Sequence, residues 1–508
     1  MTGGNTKSLL SLPDELLREV LVHLPAGRDV CRVASCCRRL TSIVEENVDL
    51  RYALALGKSG MVGNAIAVES AQDCLKKLLF HETALSTICW KSSNALPFDD
   101  EESPFEGTHH RFAGGVFATY NDGVFRTEHL PTTTAPEMVV NEMVIDFLDG
   151  PVNALAFDPS QDLVVFIQGN GNRVPVAAHL RALTTQVVHP KAHTPLLKIS
   201  TSSARTQEVE AYIHGDLIAL TWLSLHMMRL FVWDWKSGAC LVQNKSLAYT
   251  CGFSFLSDGM FLAVSPEQNG EIQLYSFRDA DGGLYEDPRR LAVLHLPRLQ
   301  AKASIISMSV QPSTSQADLG KRRPFRPDLE SGIILFRISY YGARHPDGEE
   351  CVVCVRRSTF VRRLAQALKE DWTECRVVAW DDWGPREAHL RFCDIAVSGE
   401  RVIIKDQRSD DTDMQGVVIL DFNVHRIPAV ISDPTLDSDG LEFMDCLSSY
   451  KTERGDVFKQ DVVTEIPHRM FAKAPNEGFD AALEWMIYED GFIGCDFEED
   501  CGLRILSF

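Results

Sequence analysis

The feature that most constrains this chain is the regular punctuation of its apolar runs. From about residue 108 onward, runs rich in Val, Ile, Leu and Phe are separated by the dipeptides Asp122-Gly123, Asp258-Gly259, Asn269-Gly270, Asp347-Gly348 and Asp490-Gly491. These dipeptides accept the positive φ that tight hairpins need, and runs of roughly four to eight residues between them suit half-buried strands. The C-terminal four-fifths of the chain is therefore expected to be all-β, built from short antiparallel strands.

Parts of that region repeat. Ala154-Leu155-Ala156-Phe157, a turn and Leu163-Val164-Val165-Phe166 parallel Cys251-Gly252-Phe253-Ser254-Phe255, a turn and Met260-Phe261-Leu262-Ala263-Val264. A third unit runs through Ile218-Ala219-Leu220 to Arg229–Gly238, where Trp233-Asp234 precedes a polar turn. That last strand resembles the third strand of a WD-repeat blade. Starts near 152, 209, 250 and 303 give an uneven spacing of roughly 40–60 residues, in the range of propeller blades. A degenerate β-propeller is the expected fold; a large β-sandwich or two smaller β-domains are the alternatives. Val361, Leu364, Ala365 and Leu368 predict one helical insertion at Thr359–Lys369. Leu483–Phe508 reads as strands again, and pairing with the strands near Phe112–Thr119 would close the ring and remove two exposed edges.

The N-terminus follows a different period. Ser11 and Asp14 form an S-x-x-D start signal, Pro13 suits a first helical turn, and Asp14 and Glu15 complement the helix dipole. Leu12, Leu16, Leu17, Val20, Leu21 and Leu24 then cover about half of the helix circumference, whereas packing on one core needs a stripe of somewhat more than ~100°. The extra width predicts two contacts, one with the module's own core and one with a partner. Pro25-Ala26-Gly27 stops this helix, and Val30, Val33, Ala34, Cys37, Leu40 and Val44 predict a second one. A unit this small does not hold itself together unaided.

On the Leu12-Pro13 pair, Leu16-Leu17, Val20-Leu21, Leu24, Asp29-Val30, Val33 and the Cys37-Arg38-Arg39 run, residues 11–50 resemble the F-box. That is the motif by which substrate receptors dock on the Skp-type adaptor of cullin-RING ubiquitin ligases. Two departures are visible. Leu40 stands where family members often carry Trp, and the loop Pro25–Arg28 is a residue longer. The resemblance implies an adaptor-facing set of Leu12, Pro13, Leu16, Leu21, Leu24, Val30, Val33 and Leu40.

The organisation expected is thus a multidomain α + all-β chain. Residues 1–10 form a flexible N-terminus, 11–50 the F-box and 51–96 a helical spacer marked by Leu50, Leu54, Leu75, Leu78 and Leu79. Residues 97–107 form an acidic linker through Pro97–Pro104, and 108–508 the β-propeller-like domain. A net charge of −21 argues against a non-specific nucleic-acid binder. The most apolar stretch, Leu217–Trp235, is interrupted by His226, Arg229 and Asp234 and makes a poor membrane span. With no secretory leader read at the N-terminus, the 14 cysteines are expected to be reduced thiols of a cytoplasmic or nuclear protein, and the sequon Asn244-Lys245-Ser246 to stay bare.

Catalytic and metal patterns are weak. Cys351 and Cys354 have ligand-like spacing, but residues three apart on a strand face opposite sides. His109-His110 reads as a solvated turn, and Gly169–Asn172 lacks the helix of a phosphate loop. Asp410-Asp411-Thr412-Asp413 lacks the Gly and distal Glu of a calcium loop. Lys321-Arg322-Arg323 reads as a basic surface loop rather than an import signal. Trp222, Trp380 and Trp383 are expected in the core. No cofactor or metal is expected.

The chain beyond the F-box also looks like a large group of F-box proteins from mushroom-type fungi. The shared blocks are Leu163–Phe166, Val232–Gly238, Arg357–Phe360, Asp382–Pro385, Leu420–Asn423 and Pro434-Thr435. The resemblance implies a non-catalytic receptor that binds a Skp-type adaptor, through it a cullin, and an unknown protein target, with no nucleic acid or membrane. The alternative is a β-propeller enzyme or ligand-binding protein whose N-terminal helices are only structural.

Overall fold

The computed structural model describes every residue outside 1–8, 25, 65–68, 89–91, 98–108, 132–136, 170–174, 200–207, 225–226, 313–323, 343–347, 373, 392–394, 406–416, 424–440, 447–448, 453–456, 474–483, 489–490, 496–501 and 508. The stretches Lys321–Arg323, Asp410–Asp413 and Pro434-Thr435, most of Pro97–Pro104 and most of Gly169–Asn172 therefore lie outside the described residues.

Five helices lead the chain: α1 (Asp14–Val22), α2 (Gly27–Ala34), α3 (Arg38–Glu46), α4 (Val48–Ser59) and α5 (Ala71–Thr87). Among the described residues, seven sheets of four or five strands follow. The first six open with His109–Ala113, Val152–Asp158, Glu208–His214, Gly252–Ser257, Ser304–Pro312 and Ile395–Ser398. Four of these openings fall within two residues of the starts read from the sequence. In each of the first four sheets the strands pair antiparallel with their chain neighbours, the meander of a propeller blade. Neighbouring blades face each other through continuous apolar layers. Phe125 and Phe166 join blades one and two, Leu180 and Phe231 blades two and three, and Phe253 and Phe277 lie between blades three and four. A sandwich would bury two sheets against each other; here each sheet meets both neighbours, so the domain is a propeller, with seven blades among the described residues.

The closing strand differs from the expectation. Strands Glu484–Tyr488, Gly491–Cys495 and Gly502–Ser507 form blade seven, but its fourth strand is Ser92–Pro97, in register Ser92 with Ser507 through Pro97 with Gly502. Strand Val116–Asn121 already pairs on both edges inside blade one, so it has no free backbone groups to offer. It meets blade seven face to face instead, through Phe117, Leu130, Ile493 and Ile505.

The helical insertion is α6 (Arg357–Lys369), followed by α7 (Trp380–Glu387). Between them Arg376–Val378 runs parallel to Leu284–His295 as a fifth strand of blade four. Trp380, Trp383 and Phe360 pack into the core between blades four and five, and Trp222 is likewise internal. Cys351 faces the blade four side and Cys354 the blade six side, as opposite faces of one strand require. His109 and His110 are not in a turn. They lie half-buried in a strand, with His109 Nε2 2.8 Å from the Val152 carbonyl oxygen.

Candidate docking site on the N-terminal helices

The second helix read from the sequence is two. Cys37 is extended (φ −161°) and separates α2 from α3, and Thr41 Oγ1 donates to the Ala34 carbonyl at 2.7 Å across the break. Helices α1 to α4 then enclose a small core of Leu17, Leu21, Val30, Ala34, Leu40, Ile43, Val44 and Leu50.

This core divides the eight residues expected to face the adaptor. Leu21, Val30 and Leu40 are only 3%, 1% and 5% exposed, so in this chain they hold the helices together and stand behind the surface. Leu12, Leu24 and Val33 are half-buried at its rim. Pro13 and Leu16 are exposed. Beside them the structure exposes residues that were not in the expected set: Val20 and Val22 on α1, and Leu9 and Leu10 just before it. On the helical wheel Leu16 and Val20 form one stripe, and Leu17 and Leu21 the adjacent buried one. The width of the apolar arc is thus split between a buried half and an exposed half.

The start of α1 is built differently from the capping signal in the sequence. Pro13 is the N-cap residue and no side chain caps the helix. Asp14 is engaged from α3 instead. Arg39 donates from Nε and Nη2 to Asp14 Oδ1 (2.8 and 2.5 Å), from Nη2 to the Leu12 carbonyl (2.7 Å) and from Nη1 to the Leu10 carbonyl (2.5 Å).

Helices α4 and α5 seat this module on the ring. Met61–Gly63 pairs antiparallel with Phe325–Pro327, and Leu56, Met61, Leu78 and Phe325 form a shared core. A buried ion cluster lies alongside. Arg401 Nη2 is 2.8 Å from Glu82 Oε2, and Arg401 Nε is 3.4 Å from Asp421 Oδ2. Asn423 Nδ2 donates to the Lys58 carbonyl (3.0 Å), and the Asp328 N–H to the Gly60 carbonyl (2.8 Å). Gly60 ends α4 at φ 64°, and a Cβ there would collide with the Glu400 carboxylate. The ring's contribution comes from the connections after the first strands of blades five and six and after the third strand of blade six, which share one face of a meandering ring. Second turns such as Asp122-Gly123 lie on the other face.

The ring also holds buried titratable groups. Burial, then the charge of Arg357, depresses His214 to about 4, against the opposing pull of Asp258. His389 is held well below the usual histidine range by burial, then by His468 and Arg391. Among the described residues no three His, Cys, Asp or Glu side chains are placed to hold a metal ion.

Residues 9–55 match the F-box-like family model. No curated protein matches the chain. Solved structures that resemble it include Kluyveromyces lactis Hsv2p, with 10% identity, 61% of this chain and 92% of that one covered, and a TM-score of 0.27. The β-propeller domain of Myceliophteria thermophila Cps50 (Swd1) has 9% identity over 82% of this chain and 100% of its own, with a TM-score of 0.33. The WD40 propeller domain of Doa1 has 10% identity over 82% and 95%, with a TM-score of 0.31. At such scores the fold rests on this chain's own strand pairing. The chain carries an F-box-like domain at residues 9–55, mounted on a β-propeller.

Proposed function

We propose that this chain is a substrate receptor of an SCF-type ubiquitin ligase: the F-box-like helices dock on a Skp-type adaptor, and through it on a cullin, while the propeller holds a protein target. The observation that carries the reading is the pair of stripes on α1. Leu16 and Val20, 52% and 45% exposed, lie beside the buried Leu17 and Leu21 in a segment that matches the F-box-like model. Large apolar side chains grouped on one exposed helix mark an interaction surface, and burying a side chain of this kind contributes ~1.5–3 kcal/mol.

The chain itself performs no chemistry in this reading. Holding a target next to a loaded ubiquitin-transfer enzyme turns an encounter between two molecules into an effectively unimolecular step. The ion cluster around Arg401 supports that role, because a receptor that fixes distance needs its two parts to move as one. Membership of the F-box group of mushroom-type fungi, and work in the cytoplasm, the nucleus or both, belong to the same proposal. Among the described residues no helix is long and apolar enough to cross a membrane.

The test is capture of a purified Skp-type adaptor by the full chain, with a Leu16→Asp, Val20→Asp variant alongside. Stoichiometric capture by the wild type and loss in the variant is expected. A wild-type chain that never binds the adaptor would sink the proposal.

A further inference from the structure

The segment that leads into α1 carries the exposed Leu9, Leu10 and Pro13, yet the buried anchors of α1, Leu17 and Leu21, all lie downstream of it. Its own start lacks a side-chain cap. Leu12 packs at the rim of the core, and Arg39 reaches the segment from α3 with a guanidinium that touches Leu10, Leu12 and Asp14 at once. Two of these acceptors are backbone carbonyls and the third is a carboxylate oxygen, drawn from both sides of the point where the chain enters α1. A planar fork spreads fixed donors over three nitrogens, as used here, whereas the three donors of an ammonium radiate from one atom. Arg39 itself is 40% exposed and adds nothing to the apolar core.

We propose that Arg39 is a positioning residue for partner docking: its guanidinium fastens residues 10–14 so that the Leu-Pro edge and the Leu16 stripe meet the adaptor already in one arrangement. This rests on the reading above and deepens it. A binding segment held ready needs no ordering at the moment of contact, whereas a loose one binds with an apparent affinity reduced by the fraction of molecules in the competent state. If loss of the fork leaves about a tenth of the molecules competent, the apparent Kd rises about tenfold.

The experiment uses the full chain, a purified Skp-type adaptor and three variants: Arg39→Ala, Arg39→Lys and Asp14→Asn. Association and dissociation rates, thermal midpoints and hydrogen exchange of residues 10–16 are read for each. Arg39→Ala is expected to bind about tenfold more weakly, chiefly through slower association, with its thermal midpoint close to the wild type and faster exchange confined to residues 10–16. Arg39→Lys keeps the contact with Asp14 and loses the carbonyls, so it falls between; Asp14→Asn behaves likewise. Wild-type association by Arg39→Ala overturns the proposal. So does a midpoint that falls by many degrees in both Arg39→Ala and Arg39→Lys, which marks Arg39 as part of the fold. If the wild-type chain does not bind the adaptor, the receptor reading is what has failed. The exchange comparison then still decides the clamp: unchanged exchange in Arg39→Ala overturns it.

Discussion

Arg401 of the ring and Glu82 of α5 meet at 2.8 Å with both side chains less than a tenth exposed. A charge pair so deeply covered is not a stabilising ornament, since taking two ions out of water costs several kcal/mol each. Its effect is seen when one partner is removed. Arg401→Met takes the Arg401 cation away from Glu82 and the buried Asp421, and is expected to lower stability by ~3–5 kcal/mol. Adding Glu82→Leu should recover part of that loss, which urea unfolding of the single and double variants will measure. Equal effects of Arg401→Met with and without Glu82→Leu would show that the pair is not coupled.

A second close contact joins α2 to α4. A Cβ on Gly27 would stand 2.7 Å from the Gly57 nitrogen, and one on Gly57 would stand 2.6 Å from the Arg28 nitrogen. Both obstacles are backbone, which cannot rotate away. Gly57→Ala is therefore expected to destabilise the helical module by ~1–3 kcal/mol, although alanine is the better helix former. The two single changes should not add in a double variant, because they disrupt the same crossing. Thermal unfolding of the three variants checks this; a stabilised Gly57→Ala would contradict the close crossing.

The stripes on α1 should separate by assay. Leu21→Ala opens a cavity in the module's core and is expected to cost ~2–5 kcal/mol of stability. Leu16→Ala with Val20→Ala removes only exposed groups, so the thermal midpoint should stay put. Two central anchors at on the order of 2 kcal/mol each would weaken adaptor binding roughly a thousandfold. Calorimetric titration against the adaptor, with melting curves for both variants, distinguishes the inner residue from the outer ones.

Acid should loosen the ring. His214 and His389 are held below the ordinary imidazole value in the folded chain, so the unfolded chain binds more protons and stability rises with pH. The contribution is complete above about 6.5. It is lost progressively as pH falls from there towards about 4, where His214 protonates in the folded state. Each such histidine adds a slope of up to ~1.4 kcal/mol per pH unit in that window. His389→Phe, placed among Phe422 and Tyr450, should flatten the dependence between pH 6.5 and 5, measured by urea midpoints. An unchanged slope would remove His389 from the account.

Much of the architecture was legible because hairpin turns write themselves locally. In blade four, Asp258-Gly259 follows the end of one strand and Asn269-Gly270 precedes the start of another, and the Trp233-Asp234 turn marks blade three. What stayed hidden depends on distant partners. Ser92–Pro97 has no apolar alternation, and only its pairing with Gly502–Ser507 makes it a strand. The break at Cys37 was invisible because the apolar period continues through it. Helical spacing locates the wide face of α1 but not which half is covered: Leu21 and Leu40, expected at the adaptor, are buried within the module, and Val20 is exposed. The crossing of α1 with α3 and α4 decides that, and periodicity does not contain it. Arg39 was noticed only as part of a basic run; an arginine facing a proline-blocked helix start was the available signal. Gly27 and Gly57 were similarly open to being read as a close crossing, since both interrupt otherwise helical stretches.

The ring is fastened by two strands that lie about four hundred positions apart in the chain. At ~5–20 residues per second, a ribosome makes Ser92–Pro97 roughly 20 to 80 s before the segment it pairs with. During that interval the growing chain holds an edge with unanswered hydrogen-bonding groups, the kind of template on which foreign strands assemble. The strand is short and ends in a proline, which has no N–H to offer. Newly made molecules should therefore be most vulnerable to aggregation late in synthesis, and shielding of this one segment by a chaperone would matter more than shielding of any completed blade.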